Sequence, residues 1–249
     1  MTGAYALGWG RWGLAAVTAL IVGLNKTGIP GLSIIFVPLF ALVLPARVST
    51  GALLPLLIVG DVVAVLWYRR HAVWKHLLRL FPWTFAGIVA GFFALGRIDD
   101  AQLRHVIGVL VIVGIAAGLW RDRAGRGGAE VPASLWFAAL TGILAGAATM
   151  VANAAGPIMM VYLLAMRLPK EEFLGTGAWF YAVVNLVKVP FSVGLGLISP
   201  QSLLLDAILS GAVLVGAALG ILAAQRLPQR AFNFSMQALT LVSAVMLFF

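Results

Sequence analysis

The chain has 249 residues, 62% of them hydrophobic and 10% charged, with a mean hydropathy of +1.05, against about half apolar and about a quarter charged in soluble domains. So few charged side chains cannot cover a water-soluble domain of this size, which places the chain in lipid. The net charge of +9 does not mark a nucleic-acid binder, because Lys and Arg stand in short clusters between apolar runs, as in cytoplasmic loops of a membrane protein.

Cysteine is absent, and His71, His76 and His105 fall near segment ends, so neither thiolate nor zinc chemistry is expected, and no cofactor is called for. The first apolar run follows Arg11 and leads into Asn25-Lys26-Thr27-Gly28 without a small-x-small cleavage site. It reads as part of the mature protein and not as a signal peptide.

Polar clusters, Pro and Gly divide the chain into ten apolar segments, at 11–24, 31–45, 48–68, 77–96, 102–120, 134–150, 156–168, 173–198, 203–224 and 230–249. A spanning helix needs about 20 residues. The third, fourth, fifth, eighth, ninth and tenth segments meet that length, the sixth is borderline, and the first, second and seventh are short. Residues 11–45 would stretch about 50 Å as one helix, too far for a single crossing of about 30 Å of hydrocarbon. The spacing predicts a hairpin of short helices turning at 25–31, and a second turning at 151–157.

That pairing exposes an internal repeat. Asn25-Lys26-Thr27-Gly28-Ile29-Pro30-Gly31 corresponds to Asn153-Ala154-Ala155-Gly156-Pro157, Pro45 to Pro169, Ser49-Thr50-Gly51 to Gly175-Thr176-Gly177, and Gly60-Asp61 to Val184-Asn185. The expected organisation is a first repeat at 1–120, a basic cytoplasmic linker at 121–133 and a second repeat at 134–249. If each half is a hairpin plus three spans, eleven Lys and Arg fall on one side and four on the other; with four spans per half the split is eight against seven. The positive-inside rule prefers the first arrangement, which inverts the halves. The fold expected is therefore all-α: a polytopic membrane protein of two inverted repeats, each a short helical hairpin, re-entrant or not, plus three transmembrane helices.

Irregular backbone at membrane depth needs protein or a water-filled cavity to satisfy it. Two such turns predict a polar centre, and the half-helices leaving them near Gly31 and Gly156 aim their N-termini at it, which favours an anion. Lys26 in the first turn, with Asn25, Thr27 and Gly28, is a functional candidate because an ammonium at this depth is costly. The alternative is that both segments cross fully and Lys26 reaches the cytoplasmic interface. Lys188 lies deep in the eighth segment, before the helix-breaking Pro190; it either contacts substrate or pairs with a buried carboxylate. Asp61, inside the third segment, is the candidate for coupling or charge balance, with a structural ion pair as the other reading. Asn153 and Asn185 suit an oxyanion cavity or a helix contact equally. Asp206 reads as interfacial, and the Gly-x-x-x-Gly pairs 87/91, 114/118, 142/146 and 216/220 as helix packing. Trp and Tyr crowd the segment ends, as an aromatic belt does.

These features resemble the TauE/SafE family of sulfite and organosulfonate exporters over nearly the whole chain. The resemblance rests on the duplicated layout, the turns Gly28-Ile29-Pro30-Gly31 with Pro38 and Gly156-Pro157, the stretch Tyr68-Arg69-Arg70-His71 with Trp74, and Gly175-Thr176-Gly177 followed by Asn185 and Lys188. Many members carry three glycines in the first turn, where this chain has a Lys-containing sequence. The resemblance implies export of a small sulfur oxyanion or sulfonate across a bacterial inner membrane.

The function expected is a secondary transporter exporting a small anion by alternating access, with Asn25, Lys26, Thr27, Gly28, Asn153, Gly156, Asn185 and Lys188 binding substrate. A passive anion channel is the rival reading and a membrane scaffold a more distant one. No ATP-binding Gly-x-x-x-x-Gly-Lys-Ser/Thr loop is present, and no nucleophile with a base suggests an enzyme. The partners expected are the substrate anion and the bilayer, with oligomeric state open.

Overall fold

The computed structural model describes residues 7–44, 46–94 and 135–246. Within them the regular structure is entirely helical: α1 (Trp9–Thr27), α2 (Ser33–Val43), α3 (Ala46–Tyr68), a 3₁₀ turn (Arg69–His71), α4 (Trp74–Ala94), α5 (Leu135–Ala152), α6 (Gly156–Ala165), α7 (Lys170–Gly194), α8 (Pro200–Arg226) and α9 (Gln229–Met246). The segment expected at 102–120, the linker at 121–133, Pro45, His105 and the Gly114/Gly118 pair lie outside the described residues.

Among the described residues, four helical stretches are long and apolar enough to cross a membrane: Val48–His71, Trp74–Phe93, Leu135–Ala152 and Pro200–Arg226. The borderline sixth segment is thus among them. The eighth and tenth, as α7 and α9, have the length but more polar residues. At 11 and 10 residues, α2 and α6 extend only about 15 Å and cannot cross. By contrast α1 reaches 19 residues, longer than its apolar run, because Asn25, Lys26 and Thr27 form its last turn instead of a loop.

Glycine sets which helices touch. Gly216 faces the backbone of Leu20, and Gly220 faces Gly28, so close that a Cβ at either place would strike main chain. Since both sequences advance together, α1 runs parallel to α8. In the same way Gly87 faces Ile143 and Gly91 faces Ala147, which makes α4 and α5 parallel. Gly51 meets Leu197 while Gly175 meets Tyr68 and His71, so α3 and α7 are antiparallel. The glycine spacings at 87/91, 142/146 and 216/220 therefore serve close helix contact.

Two apolar clusters result. Ala15, Val22, Phe36, Phe40, Leu53, Leu56 and Leu209 join α1, α2, α3 and α8, whereas Leu77, Ile88, Ala145, Tyr162, Phe180 and Phe232 join α4, α5, α6, α7 and α9. Outward positions stay apolar, including Leu42, Leu66, Leu78, Phe93, Leu203, Ile208 and Val215, as lipid contact requires. Threonine hydroxyls inside helices donate to carbonyls one turn back, Thr84 to Leu80 and Thr240 to Met236, so these buried hydroxyl protons are paired.

Candidate functional site: a buried lysine pair between two helix turns

The turn after α1 and the turn after α5 approach α3 at different levels. Lys26, one residue before the end of α1, extends its ammonium to Asp61 Oδ1 at 2.7 Å. Asp61 lies about 10 Å before the end of α3. Its other oxygen accepts from Asn185 Nδ2 at 2.6 Å, which brings α7 into the cluster. Gly60 makes room for this: a Cβ there would lie 2.8 Å from Lys26 Cγ, so the lysine stem passes over bare backbone. The ammonium also sits over the Tyr181 ring, 4.7 Å from its centroid, an attraction strengthened by desolvation.

The second turn reaches toward the start of α3. There Asn153 Nδ2 donates to the Thr50 carbonyl at 3.0 Å, while Asn153 Oδ1 accepts from Lys188 Nζ at 2.5 Å. Lys188 also donates to Thr149 Oγ1 at 3.1 Å. Asn153 has φ 53°, the left-handed region that asparagine tolerates better than most side chains; this bend lets it serve both partners. Lys188 is 2% exposed, and among the described residues no carboxylate lies within ion-pair distance of it. The two buried ammonium groups are therefore unequal: Lys26 has a countercharge, and Lys188 has neutral oxygens.

The N-termini of the two short helices face one another. Ser33 opens α2 and Gly156 opens α6, and a Cβ on Gly156 would collide with Ser33 Oγ. Neither terminus has a side-chain cap, and Ser33 Oγ and Asn25 Oδ1 are buried without a hydrogen-bond partner. A narrow cleft of about 20 Å³ lies alongside, bounded by Asn25, Lys26, Pro30, Met160, Gly177 and Tyr181 among others. That volume admits about one water.

Of the residues expected at the site, Asn25, Lys26, Asp61 and Asn185 come together, as do Asn153 and Lys188, with Gly156 at the meeting of the short helices. Thr27 and Gly28 are turned away. The Thr27 hydroxyl donates to Ala217 O at 2.7 Å and its carbonyl accepts from Tyr68 Oη at 2.8 Å, while Gly28 is pressed on Gly220. Both anchor the turn to α8 and α3. The reading in which Lys26 reaches the cytoplasmic interface does not hold, since its side chain is 5% exposed and ion-paired within the helix bundle. Thr176, matched to Thr50 by the repeat, fastens the loop after α3 by accepting from Val73 N at 3.0 Å. Asp206 stands near the start of α8 as expected of an interfacial group, yet it is buried with both carboxylate oxygens unpartnered.

Sequence reasoning missed Tyr181, Thr149 and Ser33. A signal for two of them existed: Tyr181, Asn185 and Lys188 are spaced i, i+4, i+7 on one face of α7, and Thr149 stands one turn before Asn153. No curated protein and no solved structure matches the chain. Residues 15–247, nearly the full length, match the family described as sulfite exporter TauE/SafE. Together with apolar helices long enough to span a bilayer, this shows a membrane transport protein, and the chain belongs to the TauE/SafE family of sulfite exporters.

Proposed function

We propose that the chain is a secondary transporter that exports a small anion, sulfite or an organosulfonate or a related oxyanion, across the bacterial inner membrane by alternating access. Asn25, Lys26, Asn153, Asn185 and Lys188 bind the anion, with N-H groups at Ser33 and Gly156 adding donors, and Asp61 exchanges partners with it. The observation that carries this reading is the buried Lys188 ammonium held only by neutral oxygens. An unbalanced buried charge costs several kcal/mol, and an arriving anion removes that cost.

Inverted repeats at 1–120 and 134–249, joined by the basic linker at 121–133, are the frame proposed for this site. Supporting them, Lys26 pairs with Asp61 35 residues on, and Asn153 with Lys188 also 35 residues on. Each half thus joins its turn to its following long helix at the same spacing. The two turns lie toward opposite ends of α3, as hairpins dipping from opposite faces require. Basic segments after α3, before α7 and after α8 also meet on one side: His71 Nε2 stands 3.2 Å from Glu171, and Lys170 Nζ donates to Ala224 O and Leu227 O. This is the cytoplasmic side by the positive-inside rule.

The test uses purified protein in proteoliposomes with sulfite, sulfate, thiosulfate, short sulfonates and carboxylates. A carrier shows trans-stimulated counterflow of the chosen anion, and Lys26→Ala or Lys188→Ala abolishes it. Uptake without trans-stimulation would instead establish a passive channel. Wild-type rates in both well-folded variants would remove the lysines from the site.

A further inference from the structure

A second cleft of about 570 Å³ opens beside the first, lined by Arg167, Gln229, Asn233 and Gln237 among others. Gln229, Asn233 and Gln237 recur every fourth residue and so share one face of α9, running about 12 Å along it. A stripe of carboxamides suits a water-lined space better than a lipid-facing one. Gln229 fixes the outer end of the stripe: its Oε1 accepts from Lys170 N at 2.8 Å and its Nε2 donates to Asn233 Oδ1 at 2.8 Å. Arg167 adds positive charge at the mouth, on the side where the basic segments meet.

The wide cleft and the Lys26 cleft share two walls, Leu163 and Phe173. Both side chains are buried. Leu163 rests against Gly177, and Phe173 packs edge-to-face on Phe232 with centroids 5.4 Å apart. Beyond these two apolar side chains lie Lys26 and Tyr181.

We propose that the wide cleft is the cytoplasmic vestibule through which a small anion approaches Lys26, and that Leu163 and Phe173 are the closed gate between them. The inference rests on the anion-exporter reading of the lysine site. The carboxamide N-H groups and Arg167 receive the anion while it is still hydrated, and moving Phe173 and Leu163 aside joins the two spaces.

Because the chain contains no cysteine, single-cysteine variants report access cleanly. Ala178 lines the inner cleft and Asn233 the outer one. In inside-out vesicles, Asn233→Cys is expected to react readily, and faster with a sulfonate-bearing thiol reagent than with a cationic one of like size. Ala178→Cys is expected to react slowly. If the gate is open about 10% of the time or less, adding Phe173→Ala should accelerate that reaction about tenfold or more, from the cytoplasmic face alone. Leu163→Ala provides a second opening in case one variant folds poorly.

Labelling of Ala178→Cys at one rate whatever occupies 163 and 173, or first from the opposite face, would overturn the proposal, as would an unreactive Asn233→Cys. The labelling needs no cargo. Its failure beside intact lysine-dependent anion binding refutes the vestibule alone, and its success without such binding refutes the anion site alone.

Discussion

Lys26 and Lys188 are buried ammonium groups with opposite electrical surroundings: Lys26 touches Asp61 at 2.7 Å, whereas Lys188 is satisfied by the uncharged Asn153 and Thr149. A buried pair is costly to break from one side only, by about 3–5 kcal/mol, because the remaining charge is stranded. Lys26→Ala should therefore lower the apparent unfolding temperature in detergent markedly, and Lys26→Ala with Asp61→Ala should recover most of the loss. A double variant no more stable than the single one would show that Asp61 is balanced by another group.

Replacing Lys188 should act differently. Lys188→Met removes a buried amine that has no carboxylate within ion-pair distance among the described residues, so the folded protein should keep or gain stability while losing its response to the anion. In the wild type, ligand at about 100 times its Kd should add about 2.7 kcal/mol to apparent stability. Thermal-shift titration of both proteins decides the matter: an undiminished shift in Lys188→Met contradicts the proposed role.

Asp61 competes with the anion for Lys26. Protonating Asp61 releases Lys26, so anion binding should strengthen as pH falls. Asp61→Asn imitates the protonated group and should bind tightly with a flat pH profile. Binding measured across pH in both proteins tests this, and parallel profiles would take Asp61 out of the coupling.

The Gly216 contact makes a separate claim about the fold. An added methyl group meets the backbone around Leu20 and not a flexible side chain, so Gly216→Ala should destabilise by about 1–3 kcal/mol. Gly211, which has open space around it, should accept Ala without loss. Size-exclusion profiles and apparent unfolding temperatures of the two variants provide the comparison.

Much of this architecture could be read in the chain. Short apolar runs beside Lys26 and Asn153 pointed to helices of half length, and Asp61 stood out as a carboxylate within an apolar run. The end of α1 was harder, since Asn25, Lys26 and Thr27 look like loop residues. They remain helical because Asp61, Ala217 and Tyr68 satisfy Lys26 and Thr27 from other helices. Asn185 shows the same limit: the repeat aligns it with Asp61, but in the fold it donates to Asp61 across 124 positions. Hydropathy carries no record of such partnerships.

Lys170, the first residue of α7, reaches two carbonyls at the far end of α8, Ala224 O and Leu227 O, at 2.7 and 2.9 Å. A rod clipped to its neighbour in this way cannot work as a piston, because any axial slip would tear both bonds. In the proposed alternating-access cycle this tether holds the start of α7 level with the end of α8, so the exchange of faces would take the form of tilting, with α1 and α8 carried as one plank along their glycine seam.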